Sequence, residues 1–122
     1  MTDYSSQELV GRSFSGQILE GAYFACSNLE DADFSNADLY WAHFDMTNLT
    51  RANFEDADLR GADLTDADFT EANLCGANLG VDNVGGVPQI KGVVWKNATY
   101  SSKTIFPNNF EPEKHGLKLV DK

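Results

Sequence analysis

A large apolar residue recurs at every fifth position of this 122-residue chain. The series runs without a miss from Leu9 to Leu79. A helix repeats near 3.6 residues and a strand at 2, so a period of five fits neither. The spacing instead predicts a repeating coil in which each five-residue frame turns one corner.

Most frames also carry a small residue two places before the large one, as in Ala57-Asp58-Leu59-Arg60-Gly61. Side chains two residues apart in an extended segment share a face, so both can point inward while the other three residues stay in water. The sequence therefore predicts a core along the axis of the coil. Its large members are Phe14, Leu19, Phe24, Leu29, Phe34, Leu39, Phe44, Leu49, Phe54, Leu59, Leu64, Phe69, Leu74 and Leu79.

The A-[DN]-[LF]-x-x pattern resembles that of the pentapeptide-repeat family over fifteen consecutive frames, residues 7–81. The later residues resemble the tails of short cyanobacterial members. The resemblance implies an all-β fold: a right-handed quadrilateral β-helix with four frames to a coil, about four to five coils, and a C-terminal capping tail. Family members with known roles bind other proteins, so the resemblance implies a protein partner. Neither a cofactor nor enzymatic activity is expected, because the sequence contains no catalytic motif.

Four frames to a coil would stack residues twenty apart, and this divides the chain into three parts. Residues 1–84 are predicted to form the β-helix. Within them, residues 1–21 should be looser cap frames because alanine is missing before their large residues. Val84 should complete the column above Leu64, and Phe69, which breaks the alternation of Phe and Leu columns, should require local repacking.

The remaining parts are a degenerate coil and a tail. Residues 85–105 are predicted to contain a bulge with one inserted residue and then a final coil. The inward residues of that coil would be Ile90, Trp95, Tyr100 and Ile105. Residues 106–122 should cap the open end with one helical turn ended by Gly116. Leu117, Leu119 and Val120 would fold over the end as a lid.

Charge and composition restrict the classes of partner. Residues 7–81 hold fourteen acids against three arginines, a net charge of minus eleven, whereas residues 82–122 carry a net charge of plus two. An acidic shaft repels nucleic acid and anionic membrane, so neither is expected as a partner. The start of the chain lacks a secretory signal, which predicts a cytoplasmic location. The thylakoid lumen or periplasm is the alternative if the chain is a processed mature form.

No catalytic or metal-binding motif is visible in the sequence. The histidines are His43 and His115, no Cys/His cluster has metal-ligand spacing, and no serine lies in a GxSxG elbow. Cys26 and Cys75 should lie on different walls, too far apart for a disulfide. Stacked carboxylates such as Asp38 and Asp58 could hold calcium. Short acidic side chains at these positions are better explained by hydrogen bonds to the turn backbone.

The most unusual outward residues are the aromatic pair Tyr40 and Trp41. Stacking would place Trp41 between Gly21 and Gly61, with Arg60 within reach of both rings. Two interpretations remain open: an anchor for a protein partner, or a surface aromatic that shields strand edges. The predicted partner contacts are Tyr40, Trp41, Met46 and Arg60.

Two function classes follow. The first is a monomeric, non-catalytic scaffold or regulatory binding module with an unidentified protein partner. The second is an acidic DNA mimic acting on a topoisomerase or another DNA-binding protein, as some family members do. Five coils at about 4.8 Å give a rod of only about 24 Å, which favours the first class. A metal or small-ligand binder is disfavoured because Phe and Leu fill the axis.

Overall fold

The computed structural model describes residues 2–121 of the chain. The ends of the predicted domains at residues 1 and 122 lie outside these residues. The backbone winds as a coil held by parallel bridges between residues twenty apart, from Asp3 with Tyr23 to Asp58 with Asn78. Between adjacent coils, the Leu39 N–H donates to the Asp58 carbonyl at 2.9 Å. Twenty residues are four frames, so four frames complete one turn of the coil.

Each corner of the repeat from residue 6 to residue 76 is a tight turn with one residue in the left-handed region. At the corner of Leu39, the Ala42 N–H donates to the Leu39 carbonyl at 2.9 Å, and Trp41 has a φ of 61°. Only the third residue of such turns has a positive φ, which identifies type II turns. Asp38 Oδ1 accepts the Tyr40 N–H at 3.2 Å. This hydrogen bond is the turn-capping role expected for the Asp and Asn side chains.

The core is a stack of side chains along the axis, and all fourteen large residues named from the sequence are buried. Phe14 and Phe34 stack with ring centroids 5.0 Å apart and planes 7° apart. Phe34 meets Phe44 of the other phenylalanine column edge to face, at 5.4 Å and 89°. Both arrangements are favoured for aromatic rings. Phe69 is tilted by 36° against Phe54, which shows the local repacking.

The amino-terminal frames pair as regularly as the rest. The Leu9 N–H donates to the Asn28 carbonyl at 2.8 Å, and Phe14 is buried although no alanine precedes it. The Arg12 guanidinium lies 5.5 Å from the centroid of the Phe14 ring and 5.6 Å from that of Tyr4. Arginine thus covers the open end of the core, and the expected looseness is absent from the hydrogen bonding.

The predicted column position of Val84 is wrong, because this side chain is 81% exposed. Gln89 pairs with Asp63, so Ile90 takes the inward place above Leu64. The offset of this pair is 26 residues, which means that six residues are inserted rather than one. The inserted residues lie within a largely exposed segment, residues 80–88, that we call the 80–88 loop.

The prediction for Ile105 is also wrong. Trp95 and Tyr100 are buried as expected, but Ile105 is exposed and pairs with Asn78. Phe106 then packs against the core instead. The extra residue lies in the turn after Tyr100, where Thr104 Oγ1 donates to the Leu74 carbonyl at 2.8 Å.

The tail adds a strand to the ladder. Strand β1 (Thr99–Tyr100) pairs in parallel with strand β2 (Lys118–Leu119). A 3-10 helix at Pro112–His115 precedes β2 and ends at Gly116, which has a φ of 90°. The predicted helical turn is confirmed.

Only part of the predicted lid covers the core. Leu117 is buried, but Leu119 and Val120 are exposed because they lie on or beside the edge strand. Aromatic residues close the end instead: the Phe110 ring stacks on His115 at 4.6 Å and meets Trp95 at 5.5 Å. Among residues 2–121, no helix has the length and apolar character needed to cross a membrane.

Candidate functional site

Trp41 occupies a corner where its backbone is strained and its indole is accommodated by a glycine. Its φ of 61° is left-handed, which costs an ordinary L-residue about 1–2 kcal/mol. The indole lies over Gly61, one coil above, so a Cβ added to Gly61 would overlap the ring. The absence of a side chain at residue 61 therefore makes room for Trp41, as the stacking of corner residues predicted.

The 80–88 loop holds both aromatic residues of this corner. Trp41 Nε1 donates to Asp82 Oδ2 at 3.0 Å, and the Asn83 backbone N–H donates to Tyr40 Oη at 3.0 Å. Asp82 Oδ1 accepts the backbone N–H groups of Val84 at 2.9 Å and Gly86 at 2.7 Å. The hydrogen bond from the indole lowers the pKa of the Asp82 carboxyl, and the Val84 N–H acts in the same direction. Asp82 thus orders the loop and fixes the Trp41 ring.

Tyr40 is covered, contrary to its predicted role as an exposed contact. Only 8% of it is exposed, because the loop and Arg60 lie against it. The Arg60 guanidinium lies 5.2 Å from the Tyr40 ring centroid, and Arg60 Nη2 pairs with Asp58 Oδ2 at 2.7 Å. Burial raises the pKa of Asp58, but the hydrogen bonds from Arg60 outweigh it, so the net pKa is lowered. Tyr40 and Asp58 hold Arg60 in place.

These side chains border an open cleft of about 300 Å³. Trp41, 45% exposed, is the exposed aromatic side chain of the cleft. The lining residues are Glu20, Asp38, Tyr40, Trp41, Asp58, Arg60, Asn83 and Val84. The cleft is shallow and combines aromatic, acidic and basic groups, so it suits one or two side chains of a protein better than an enclosed small molecule.

The structure brings together three of the four residues predicted as partner contacts. Tyr40, Trp41 and Arg60 line the cleft, whereas Met46 is exposed at the next corner and does not line it. Sequence reasoning missed the 80–88 loop as a wall of the cleft. A signal was available: Val81 is forty residues after Trp41, two full turns of the coil, so the insertion begins above the same corner.

Comparisons with known proteins agree with the coiled fold. The family model for pentapeptide repeats matches residues 19–51 and 42–80, in eight copies. The chain belongs to the pentapeptide-repeat family. Its fold is therefore the right-handed β-helix of this family, a solenoid of five-residue frames. No curated protein sequence matches the chain significantly.

Solved pentapeptide-repeat structures include similar chains. A pentapeptide-repeat protein of the Arabidopsis thaliana thylakoid lumen is 31% identical, over 81% of this chain and 68% of that protein, with a TM-score of 0.46. HetL, involved in the regulation of heterocyst differentiation in the cyanobacterium Nostoc sp. strain PCC 7120, is 23% identical. The match covers 84% of this chain, with a TM-score of 0.67. This pentapeptide-repeat chain spans about half of HetL (48%), and the likeness to HetL shows the fold alone.

Proposed function

We propose that this protein is a non-catalytic binding module, a scaffold or regulator, that binds a protein partner through the Trp41 cleft. One observation carries the proposal: a half-exposed indole is held rigid at its N–H by Asp82 and lies over Gly61.

The rigidity of the indole is the energetic argument. Binding a mobile side chain costs about 0.5–1.5 kcal/mol of ordering free energy, and a ring already fixed avoids most of it. Tryptophan is also among the residues enriched at the energetic centres of interfaces. Trp41 is therefore the residue of the cleft expected to contribute most to binding.

The test is affinity capture from the organism of origin with wild-type protein, Trp41→Ala and the control Val10→Ala. Val10 is an exposed apolar residue outside the cleft lining. We expect a partner that the wild type and Val10→Ala retain and Trp41→Ala loses, while circular dichroism shows all three folded. Equal capture by Trp41→Ala, or a large loss of its stability, would contradict the anchor and favour a shielding role for the indole.

The acidic DNA mimic is the second candidate, favoured by the net charge of minus eleven over residues 7–81. Mimicry requires a longer rod, and so an end-to-end dimer. Sedimentation at micromolar concentration and a gyrase supercoiling assay separate the two candidates. We expect a monomer without effect on supercoiling, and inhibition by a dimer would favour mimicry. The expected cytoplasmic location stays a prediction.

A further inference from the structure

We propose that His43, Asp45 and Asp63 bind a divalent transition metal ion of the zinc class, at a site separate from the Trp41 cleft. Each residue offers one ligand atom, and these atoms all lie within 4.8 Å of one another. One imidazole nitrogen and two carboxylate oxygens form this set. The three side chains are partly exposed, so an ion can reach them from solvent.

The repeat itself brings the ligands together. His43 and Asp63 are bridge partners on adjacent rungs, and the Phe44 N–H donates to the Asp63 carbonyl at 2.7 Å. Their side chains therefore leave the same wall about 4.8 Å apart. Asp45 follows His43 by two residues at the adjoining corner. Ligands twenty residues apart have no motif spacing in a linear sequence, which explains why the sequence predicted no metal site.

Neighbouring side chains orient two of the ligands. The Tyr23 ring stacks on the His43 imidazole at 4.5 Å with 15° between the planes. Thr65 donates its backbone N–H at 3.0 Å and its hydroxyl at 2.6 Å to Asp63 Oδ1, which leaves Oδ2 available to an ion. Contacts that orient the ligands of a metal ion raise the affinity of the protein for that ion.

His43 also departs from the rule of the repeat. Between residues 28 and 78, each of the other frames has Asp or Asn before the large residue, and its side-chain oxygen accepts the N–H two residues later. Asp58 and Asp68 do so at 3.1 and 2.9 Å. An imidazole replaces that oxygen in the frame of residues 42–46. The four earlier frames have Glu8, Ser13, Ile18 and Tyr23 at this position. Within residues 28–78 the rule is broken at His43 alone, and such a local exception is expected where function requires another chemistry.

The donor set selects the class of ion. Calcium and magnesium prefer six or more oxygen ligands, whereas imidazole combined with carboxylates suits zinc, cobalt, nickel and copper. Zinc binds such atoms tetrahedrally at about 2.0–2.2 Å, so the ligand atoms around it lie about 3.4 Å apart. Side-chain rotations that shorten these separations by up to about 1.4 Å bring the three ligand atoms to that spacing. A fourth position remains for water.

The test is titration of metal-free protein with Zn²⁺ and Co²⁺, followed by thermal unfolding and by the visible absorption of bound Co²⁺. We expect both ions to raise the melting temperature, since each binds the folded state, and Ca²⁺ to have no effect at equal concentration. The key variant is His43→Asn, which removes the imidazole and restores the residue type that caps turns elsewhere, so it should fold. Affinity should fall at least about tenfold, as when contacts around a metal ligand are lost.

Matched variants make the result specific. Asp63→Asn should also weaken Zn²⁺ binding while its amide oxygen keeps the hydrogen bonds from Thr65. His115→Asn in the tail and Asp68→Asn on the next wall should bind as the wild type does. Unchanged affinity in both His43→Asn and Asp63→Asn would overturn the site. Loss of binding in His115→Asn alone would mean adventitious binding at the tail, and equal stabilisation by Ca²⁺ would mean a non-specific effect of the acidic surface.

Discussion

The repeat, residues 3–79, and the segment that follows it, residues 80–121, build the same ladder in different ways. In the repeat every bridge has an offset of 20, the same turn recurs along the chain, and the pair of small and large core residues recurs from Ala22 onward. In the later segment the offset becomes 26 at Asp63 with Gln89 and 27 at Asn78 with Ile105. Individual contacts, such as the hydrogen bonds of Asp82, stabilise this irregular segment. The structure of the first region therefore follows from the period of the sequence, whereas that of the second depends on the contacts of individual side chains.

The largest expected difference between the regions lies in the core. Phe34→Ala removes a fully buried ring from a stack with Phe14 and Phe54, and we expect a loss of about 3–5 kcal/mol in the free energy of unfolding. Phe110→Ala should cost less because this ring is only partly buried. Urea denaturation followed by circular dichroism measures both. Equal losses would mean that the tail is as closely packed as the repeat.

A smaller effect separates two glycines of similar backbone conformation. Gly61 and Gly16 have φ values of 71° and 70°, but an added Cβ meets the Trp41 indole only at Gly61. Gly16→Ala should cost about 1–2 kcal/mol from the left-handed backbone alone. Gly61→Ala should cost more and should shift the Trp41 fluorescence, because the ring must move. Equal costs would show that the indole does not rest on Gly61.

The smallest effect is a local response of the 80–88 loop to acid. The pKa of Asp82 is lowered from 3.8, so its stabilising contribution is complete above that pH and is lost as the pH falls through the lower folded-state value. We expect the indole N–H resonance of Trp41 in NMR spectra to shift below pH 3.8. Asp82→Asn, which does not titrate, is the control. The same shift in that variant would assign the change to another group.

Most of the fold could be predicted, because the period of five places one large residue inward in every frame and the coil repeats every four frames. The predicted positions of Val84 and Ile105 were wrong because the inserted residues include apolar ones. An apolar residue at the expected spacing therefore did not reveal that the register had changed. The cleft was predicted only in part. The stacking of residues twenty apart predicted that Trp41 lies over Gly61 and that Arg60 lies near Tyr40. The hydrogen bonds of Asp82 and Asn83 to the two aromatic residues could not be predicted, because they depend on the conformation of an inserted loop.

The type II corners and the offset of 20 have a consequence for chain length. Between the corner of Trp41 and the start of the 80–88 loop lie eight frames, two complete turns. Removing one frame would keep every large residue pointing inward and would leave the core nearly intact, yet it would rotate the loop to a neighbouring wall, away from the indole. Two proteins of this architecture that differ by five residues can therefore share an interior and present different faces, so the number of repeats is itself a specificity determinant.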